Sequence, residues 1–459
     1  MDGPSESDRL VPYGIKKERT LTILLAVLIS SLLSVSCGFF LSYLVNMLIS
    51  NSTLIIYFCV AAFFGCFFAG ILIKMIGRKS VIFTTSFISI LCYLSVLLSD
   101  IEALSTTLDV FSYIFGGFAV SMTFQAVPVY IVEVSSARLR SIMGSITYYA
   151  IIFGILLFYL TKEIIKLENK SYYAVTGLIV VLLSLLIIFM PETPWWLVAH
   201  NRKEKALKNM LWILGNECDA EDACNQIEIN LAHRHIESVN DFRTPGLYLP
   251  FLIGCFLVFI HQISFVGCVY AAFIYEINYN GFINITFTKL FIIQFIVALV
   301  GCFIVDLCSR RFLLLSGSAI LCLCSVGFSL LCIWKNCDCF IKDNKEKTWT
   351  AYLIIYVTVF STTWGPLPWI IVSEVIPSRA SGLFGCLIRS VNWLLVILVS
   401  AIIIISDYYG SLVFFCLTAK LLFLSIFFVY YIVPETKKLT LEEIEHHYII
   451  NPGFRNYLS

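Results

Sequence analysis

Apolar residues in this chain come in long runs, not in short alternations. Twelve stretches of about 20 residues carry few charges. They lie at roughly 21–45, 54–76, 80–99, 108–132, 142–161, 172–190, 248–274, 287–307, 312–334, 350–373, 383–406 and 411–433. A helix of ~20 apolar residues crosses the hydrocarbon core of a bilayer. In lipid a helix satisfies its own backbone, which an isolated strand does not. The pattern predicts an all-α membrane protein with twelve transmembrane helices in two six-helix bundles. A single long polar segment, Ala199 to Thr244, interrupts it near the middle. The expected organisation is a tail at 1–20, a bundle at 21–198, a helical bridge at 199–246, a second bundle at 247–436 and a tail at 437–459.

The two halves repeat each other. Lys74-Met-Ile-Gly-Arg-Lys79 is matched by Asp306-Leu-Cys-Ser-Arg-Arg311, 232 residues later. Glu133 with Arg138 is matched by Glu374 with Arg379, offset by 241. Pro191-Glu-Thr193 is matched by Pro434-Glu-Thr436, offset by 243. Three motifs in one order at nearly one spacing point to an internal duplication.

Composition agrees. Of 459 residues, 59% are hydrophobic and 13% charged, against about 25% charged in a soluble domain. Mean hydropathy is +0.90. A formal net charge of +1 gives no electrostatic case for nucleic acid. The 17 cysteines are scattered through apolar runs, where they act as small soft packing residues. No spacing suggests a metal site or a disulfide framework. Cys337 and Cys339 are too close to pair easily with each other, though either is free to bridge elsewhere. The first apolar run is too long for a signal peptide's core and reads as an anchoring span.

Basic residues mark one side of the membrane. Lys74, Arg78, Lys79, Arg138, Arg140, Arg310, Arg311 and Arg379 fall in alternate short loops, with Lys16, Lys17, Arg19, Lys437 and Lys438 in the tails. That side is expected to be cytoplasmic, with both termini on it. The glycosylation sequons at Asn51, Asn169 and Asn284 all fall in loops on the opposite side, which supports passage through the secretory pathway.

Topology alone does not account for Glu133, Asp306 and Glu374, which stand at the inner ends of spans. A carboxylate there is costly unless paired. Ion pairs are expected among these acids and Arg78, Arg138, Arg140, Arg310, Arg311 and Arg379. Pairs that close the inner side in one state and break in another would serve a rocking protein. Static structural pairs are the alternative.

These residues carry a resemblance that covers almost the whole chain. The stretches GILIKMIGRK (70–79), PVYIVEVSSARLRS (128–141), PETPWWL (191–197), HQIS (261–264), VDLCSRR (305–311), WGPLPWIIVSEVIPSRASG (364–382), NW (392–393) and VPETKKLTLEEIE (433–445) resemble the sugar porters of the major facilitator superfamily. The central ALKNMLWILG (206–215) most resembles the arthropod facilitated trehalose transporter branch. The resemblance implies a substrate cavity between two bundles and alternating access. Transport of a sugar needs neutral hydrogen-bonding groups and flat aromatic faces within the membrane.

The family's cavity positions correspond here to His261, Gln262, Ser264, Gln294, Trp369, Asn392 and Trp393. Pro366 and Pro368 break span 10, as a gate hinge or a static kink. A buried glutamine or histidine equally serves to bridge helices, and both roles are open. The chain departs from the family at Lys74, Tyr113, Trp195, Gly267, Ser381 and at Tyr148, where the family has glutamine. Arg389 in span 11 has three readings: it snorkels to the inner surface, meets an anionic substrate or pairs with Glu374. Lys420 in span 12 has no evident partner. Span 1 carries no acid, so facilitated diffusion of a hexose or trehalose-like disaccharide is expected over proton symport, with no cofactor and the plasma membrane as the expected address. The rivals are a non-transporting sugar sensor and a transporter of another, anionic, organic solute. No constellation of nucleophile, paired acids or metal ligands suggests an enzyme.

Overall fold

A computed structural model describes residues 20–48, 52–99, 105–135, 140–165, 170–232, 245–279, 287–334, 342–376, 381–409 and 411–436. Among these residues there are helices and turns and no strand. The first half contains α1 (Thr20–Leu48), α2 (Ser52–Ile76), α3 (Arg78–Leu98), α4 (Ser105–Val134), α5 (Arg140–Ile165) and α6 (Lys170–Ser184), the last extended by a tighter turn over Leu185–Phe189. Three shorter helices follow: α7 (Pro194–Ala199), α8 (Lys203–Leu214) and α9 (Glu217–Ala232). The second half contains α10 (Pro245–Tyr279), α11 (Phe287–Leu307), α12 (Arg310–Trp334), α13 (Lys342–Thr362), α14 (Leu367–Val375), α15 (Ser381–Tyr409) and α16 (Ser411–Tyr431).

Eleven segments are long and apolar enough to cross a membrane, and α13 with α14 counts as one of them. A further apolar stretch, Phe384–Val399, lies in α15. All twelve expected spans therefore fall on helices. Large apolar side chains line the outside, Leu307 at 78% and Phe303 at 69% exposure among them. Such a surface suits lipid and not water.

Each half has its own core. Phe39, Tyr93 and Phe158 anchor one in the first half, and Phe328, Tyr356 and Phe415 anchor the other. In the first half α1 crosses α5 at two glycines. A Cβ at Gly38 would sit 2.0 Å from the Ile151 carbonyl oxygen, and one at Gly154 would sit 2.0 Å from that of Val35. Small residues let membrane helices approach this closely.

The polar segment folds as its pattern requires. Ala206, Ile213 and Leu214 of α8 are buried, while Lys203, Glu204 and Lys205 face water. Gly215 ends α8 in the left-handed conformation at φ 80°, its N–H bonded to Leu211, the geometry that favours glycine after a helix. Ile213 and Leu214 join a core that also holds Ile23 and Met190, so these helices cap the first half.

The halves meet along two seams: α2 packs on α15, and α5 on α11. On the first seam a Cβ at Gly70 would lie 3.0 Å from Cβ of Cys386. On the second, Tyr159 stacks on Phe291 at 4.8 Å, and Phe153 meets Phe295 at 5.5 Å.

Candidate functional site

The repeated motifs build two matching clusters at one end of the bundle. In the first half, Arg78 Nη2 contacts Glu133 Oε1 at 2.7 Å. Glu192 accepts the backbone N–H groups of Arg78 at 3.0 Å and Lys79 at 3.1 Å. In the second half, Arg310 Nη2 contacts Glu374 Oε1 at 3.4 Å. Glu435 accepts the N–H groups of Arg310 at 3.1 Å and Arg311 at 3.2 Å. Thr436 donates to the other oxygen of Glu374 at 2.6 Å, and the Arg311 guanidinium reaches the Tyr430 carbonyl.

The physical logic is the same twice. The first N–H groups of a helix have no partner within it. A carboxylate satisfies two of them at the positive end of the helix dipole. Glu192 and Glu435 therefore hold the starts of α3 and α12, a role the sequence reading did not give them. The recurrence of Pro-Glu-Thr in step with the basic loops was the available signal. Burial pushes the Glu192 carboxyl above the usual carboxylate range, and the N–H groups of Thr193, Lys79 and Arg78 pull it back.

These described ion pairs each join spans within one half. Glu133 Oε2 has no partner among the described residues. Arg138 and Arg379, and the sequons at Asn51, Asn169 and Asn284, lie outside the described residues, as do Cys337 and Cys339. The side chains of Arg140, Asp306 and Ser381 are likewise not described. Of the positions that depart from the family, Lys74 is exposed and its carbonyl accepts Trp196 Nε1 at 2.9 Å, while Tyr113 is buried in the first-half core. Lys420 is exposed on the outer surface of α16.

The second focus is the break between α13 and α14. Pro366 and Pro368 have no N–H to donate, so the carbonyl of Trp364 lacks its helical partner at position 368. His261 of α10 supplies one: Nδ1–H donates to that carbonyl at 2.7 Å. The indole of Trp364 is fully buried and donates to Ser318 Oγ at 3.1 Å. Gly365 admits Tyr148 of α5, whose hydroxyl oxygen would lie 2.2 Å from a Cβ there. The Tyr148 hydroxyl also lies beside Ser361 and Gln294, yet it forms no well-shaped hydrogen bond. The break is thus the point where α5, α10 and α11 converge.

The remaining site candidates divide. Gln262 is 6% exposed and makes no hydrogen bond to a described residue. Asn392 is 7% exposed, and its Oδ1 is buried without a partner. Trp369 meets His261 edge-on at 5.6 Å. Ser264 is turned away: its hydroxyl donates to Ile260 at 2.8 Å, beneath Tyr356, which bonds the Ser264 carbonyl. Gly267 leaves room for that tyrosine. Trp393 packs edge-on against Phe58 and Phe124 at 5.5 and 5.9 Å, so it inserts into the first half. Thr147 and Tyr149 on α5, and Ser390 on α15, add further buried hydroxyls that make no well-shaped hydrogen bond to a described residue, though Tyr149 lies beside Ser145 and Cys302 and Ser390 beside Cys66. Sequence reasoning did not single these out because Ser, Thr and Tyr are common in apolar helices.

Comparison with known proteins places this arrangement. The family model "Sugar (and other) transporter" matches residues 19–448. The chain is 26% identical over 357 residues to the facilitated glucose transporter member 8 of solute carrier family 2 from Mus musculus, covering 72% of each protein. It is 28% identical over 403 residues to the facilitated trehalose transporter Tret1 of Bombyx mori, covering 84% of this chain and 76% of that one. Its fold is similar to that of the proton:xylose symporter XylE bound to 6-bromo-6-deoxy-D-glucose, with TM-score 0.75 at 20% identity over 94% of this chain and 99% of the other. The inward open XylE from E. coli gives 0.71 at 22% identity over 92% and 99%. With that match across nearly its whole length, the chain belongs to the sugar (and other) transporter family.

Proposed function

We propose that this protein carries a sugar across the membrane by facilitated diffusion, with the halves rocking about the break between α13 and α14. The carrying observation is the set of buried polar groups on α5 and α15 that make no well-shaped hydrogen bond to a described residue, in a chain of this family. Tyr148, Asn392 and their neighbours hold unmet hydrogen-bonding capacity. A buried polar group without a partner is destabilising, and the hydroxyls of a sugar supply what is missing. Gln262, Gln294 and Asn392 are assigned as substrate contacts, with Trp369 as a flat apolar face. The paired clusters around Glu133 and Glu374 fit a gate on the cytoplasmic side, where both termini are assigned. The bridge of α7 to α9 links two functional bundles, and Asn51, Asn169 and Asn284 are assigned as external glycosylation sites of a plasma-membrane protein.

Radiolabelled glucose and trehalose uptake into proteoliposomes tests this reading. Saturable uptake is expected, reduced at least tenfold by Gln262→Ala, about the effect of one lost buried hydrogen bond. Absence of uptake of both sugars by folded protein would turn the reading toward a sensor. The described part of span 1, residues 20–48, contains no acid. An imposed pH gradient should leave the initial uptake rate of a neutral sugar unchanged; a proton-driven overshoot would reject facilitated diffusion.

A further inference from the structure

Among the described residues, Arg389 is a charged side chain within a span that neither the gate nor the break explains, and unlike Lys420 it is not exposed. It stands eight residues into α15 from Ser381, about 12 Å along the helix at ~1.5 Å per residue. Its Nη1 donates across the seam to Gln125 Oε1 on α4 at 3.0 Å, and to the Gly385 carbonyl at 3.3 Å. Its Cζ lies 6.0 Å from the ring of Trp369. Gln125 is itself 2% exposed.

Charge balance separates this arginine from the others. Arg78 and Arg310 each face a carboxylate. Arg389 faces none among the described residues, and its ionisable neighbours are the thiols of Cys66 and Cys386. Both of its hydrogen bonds come from one nitrogen, so Nε and Nη2 make none to a described residue. A charge within the membrane is paired or lines a substrate path. Guanidinium is also the group that grips a carboxylate with two parallel bonds. One helical turn further, the buried Oδ1 of Asn392 lacks a partner among the described residues, so a charged fork and an amide oxygen open to a ligand stand on one helix beside an aromatic face.

We propose that Arg389 is an anion-recognition residue and that the preferred solute is a sugar acid, a polyhydroxyl ring bearing one carboxylate. This rests on the reading of the chain as a sugar transporter and narrows its substrate class. One guanidinium balances one carboxylate, so the loaded site is neutral. A phosphate ester would bring a second charge, and the other described cation that neighbours Cys386, Lys74, is exposed.

The test compares glucuronate with glucose, both as binding by calorimetry and as uptake into proteoliposomes, in wild type, Arg389→Gln and Arg389→Lys. Wild type is expected to prefer glucuronate by about tenfold or more, as a charge-assisted bidentate pair implies. Arg389→Gln should abolish that preference. Arg389→Lys, which keeps the charge but not the fork, should keep part of it and controls for folding. Equal binding of both sugars by wild type, or a preference unchanged in Arg389→Gln, overturns the proposal while sugar uptake stands. Failure of all uptake overturns the transport reading, and the calorimetric preference then decides the anion site separately. A glucuronate preference that survives both substitutions also overturns it.

Discussion

At the scale of single residues, the clusters at the repeated motifs are held by groups the sequence displays but does not connect. Gly77 has φ 93°, and a Cβ there would lie 2.4 Å from Glu192 Oε2. Gly77→Ala strains the backbone and displaces the carboxylate at once. It should lower stability by about 1 kcal/mol or more, seen as a lower melting temperature of the detergent-solubilised protein. Glu192 gives a pH signature. Burial raises its folded pKa above an unfolded value of ~4.3, so the folded state holds the proton more tightly. Its contribution to stability therefore increases as pH falls through the raised pKa and declines as pH rises. Glutamine does not titrate, so wild type should gain stability relative to Glu192→Gln as pH drops from neutral through the raised pKa. Melting curves of the two at several pH values check this; the opposite slope would show that the three N–H bonds outweigh burial. Glu133 and Glu374 were visible in the sequence as costly acids near arginines. That Arg78 would pair with Glu133 and Arg310 with Glu374 was not, because three spans must pack before partners are chosen.

At the scale of elements, the break in span 10 was announced by Pro366 and Pro368, since each removes a backbone donor wherever it occurs. What repairs the break was not announced. His261 lies 103 residues away from Trp364 and reaches its carbonyl only because α10 packs beside the break. His261→Ala should leave that carbonyl unpaired at a cost of about 1–3 kcal/mol, while His261→Gln, which retains a donor, should recover much of it. Thermal denaturation of both variants distinguishes a bridging histidine from one needed only for substrate, which would alter uptake and leave stability unchanged. Ser264 shows the opposite limit. Gln262, two residues earlier, is buried without a hydrogen bond to a described residue, whereas the Ser264 hydroxyl is spent on its own helix. Two positions along a helix turn a side chain by about 200°, so a four-residue motif cannot present all its members to one site.

At the scale of the whole molecule, the proposed transport requires the two halves to part and rejoin. The seam of α2 and α15 can be locked to test this. With Gly70 and Cys386 so close, Gly70→Cys should cross-link to Cys386 under oxidant after a shift of a few tenths of an ångström, since disulfide-bonded Cβ atoms lie about 3.5–4.5 Å apart. The cross-link should stop uptake and a reductant should restore it; full uptake by the cross-linked protein would show that this seam does not open. The number of spans and the duplication were determined by the sequence alone, because lipid imposes the length of each apolar run and the recurrence of motifs is read directly along the chain. The tertiary structure alone decided that Arg389 meets Gln125, that Trp393 inserts into the opposite half, and that Tyr148 touches the break at Gly365. Each contact joins residues separated by at least 200 positions, and nothing local to either partner encodes the distance that packing closes between them.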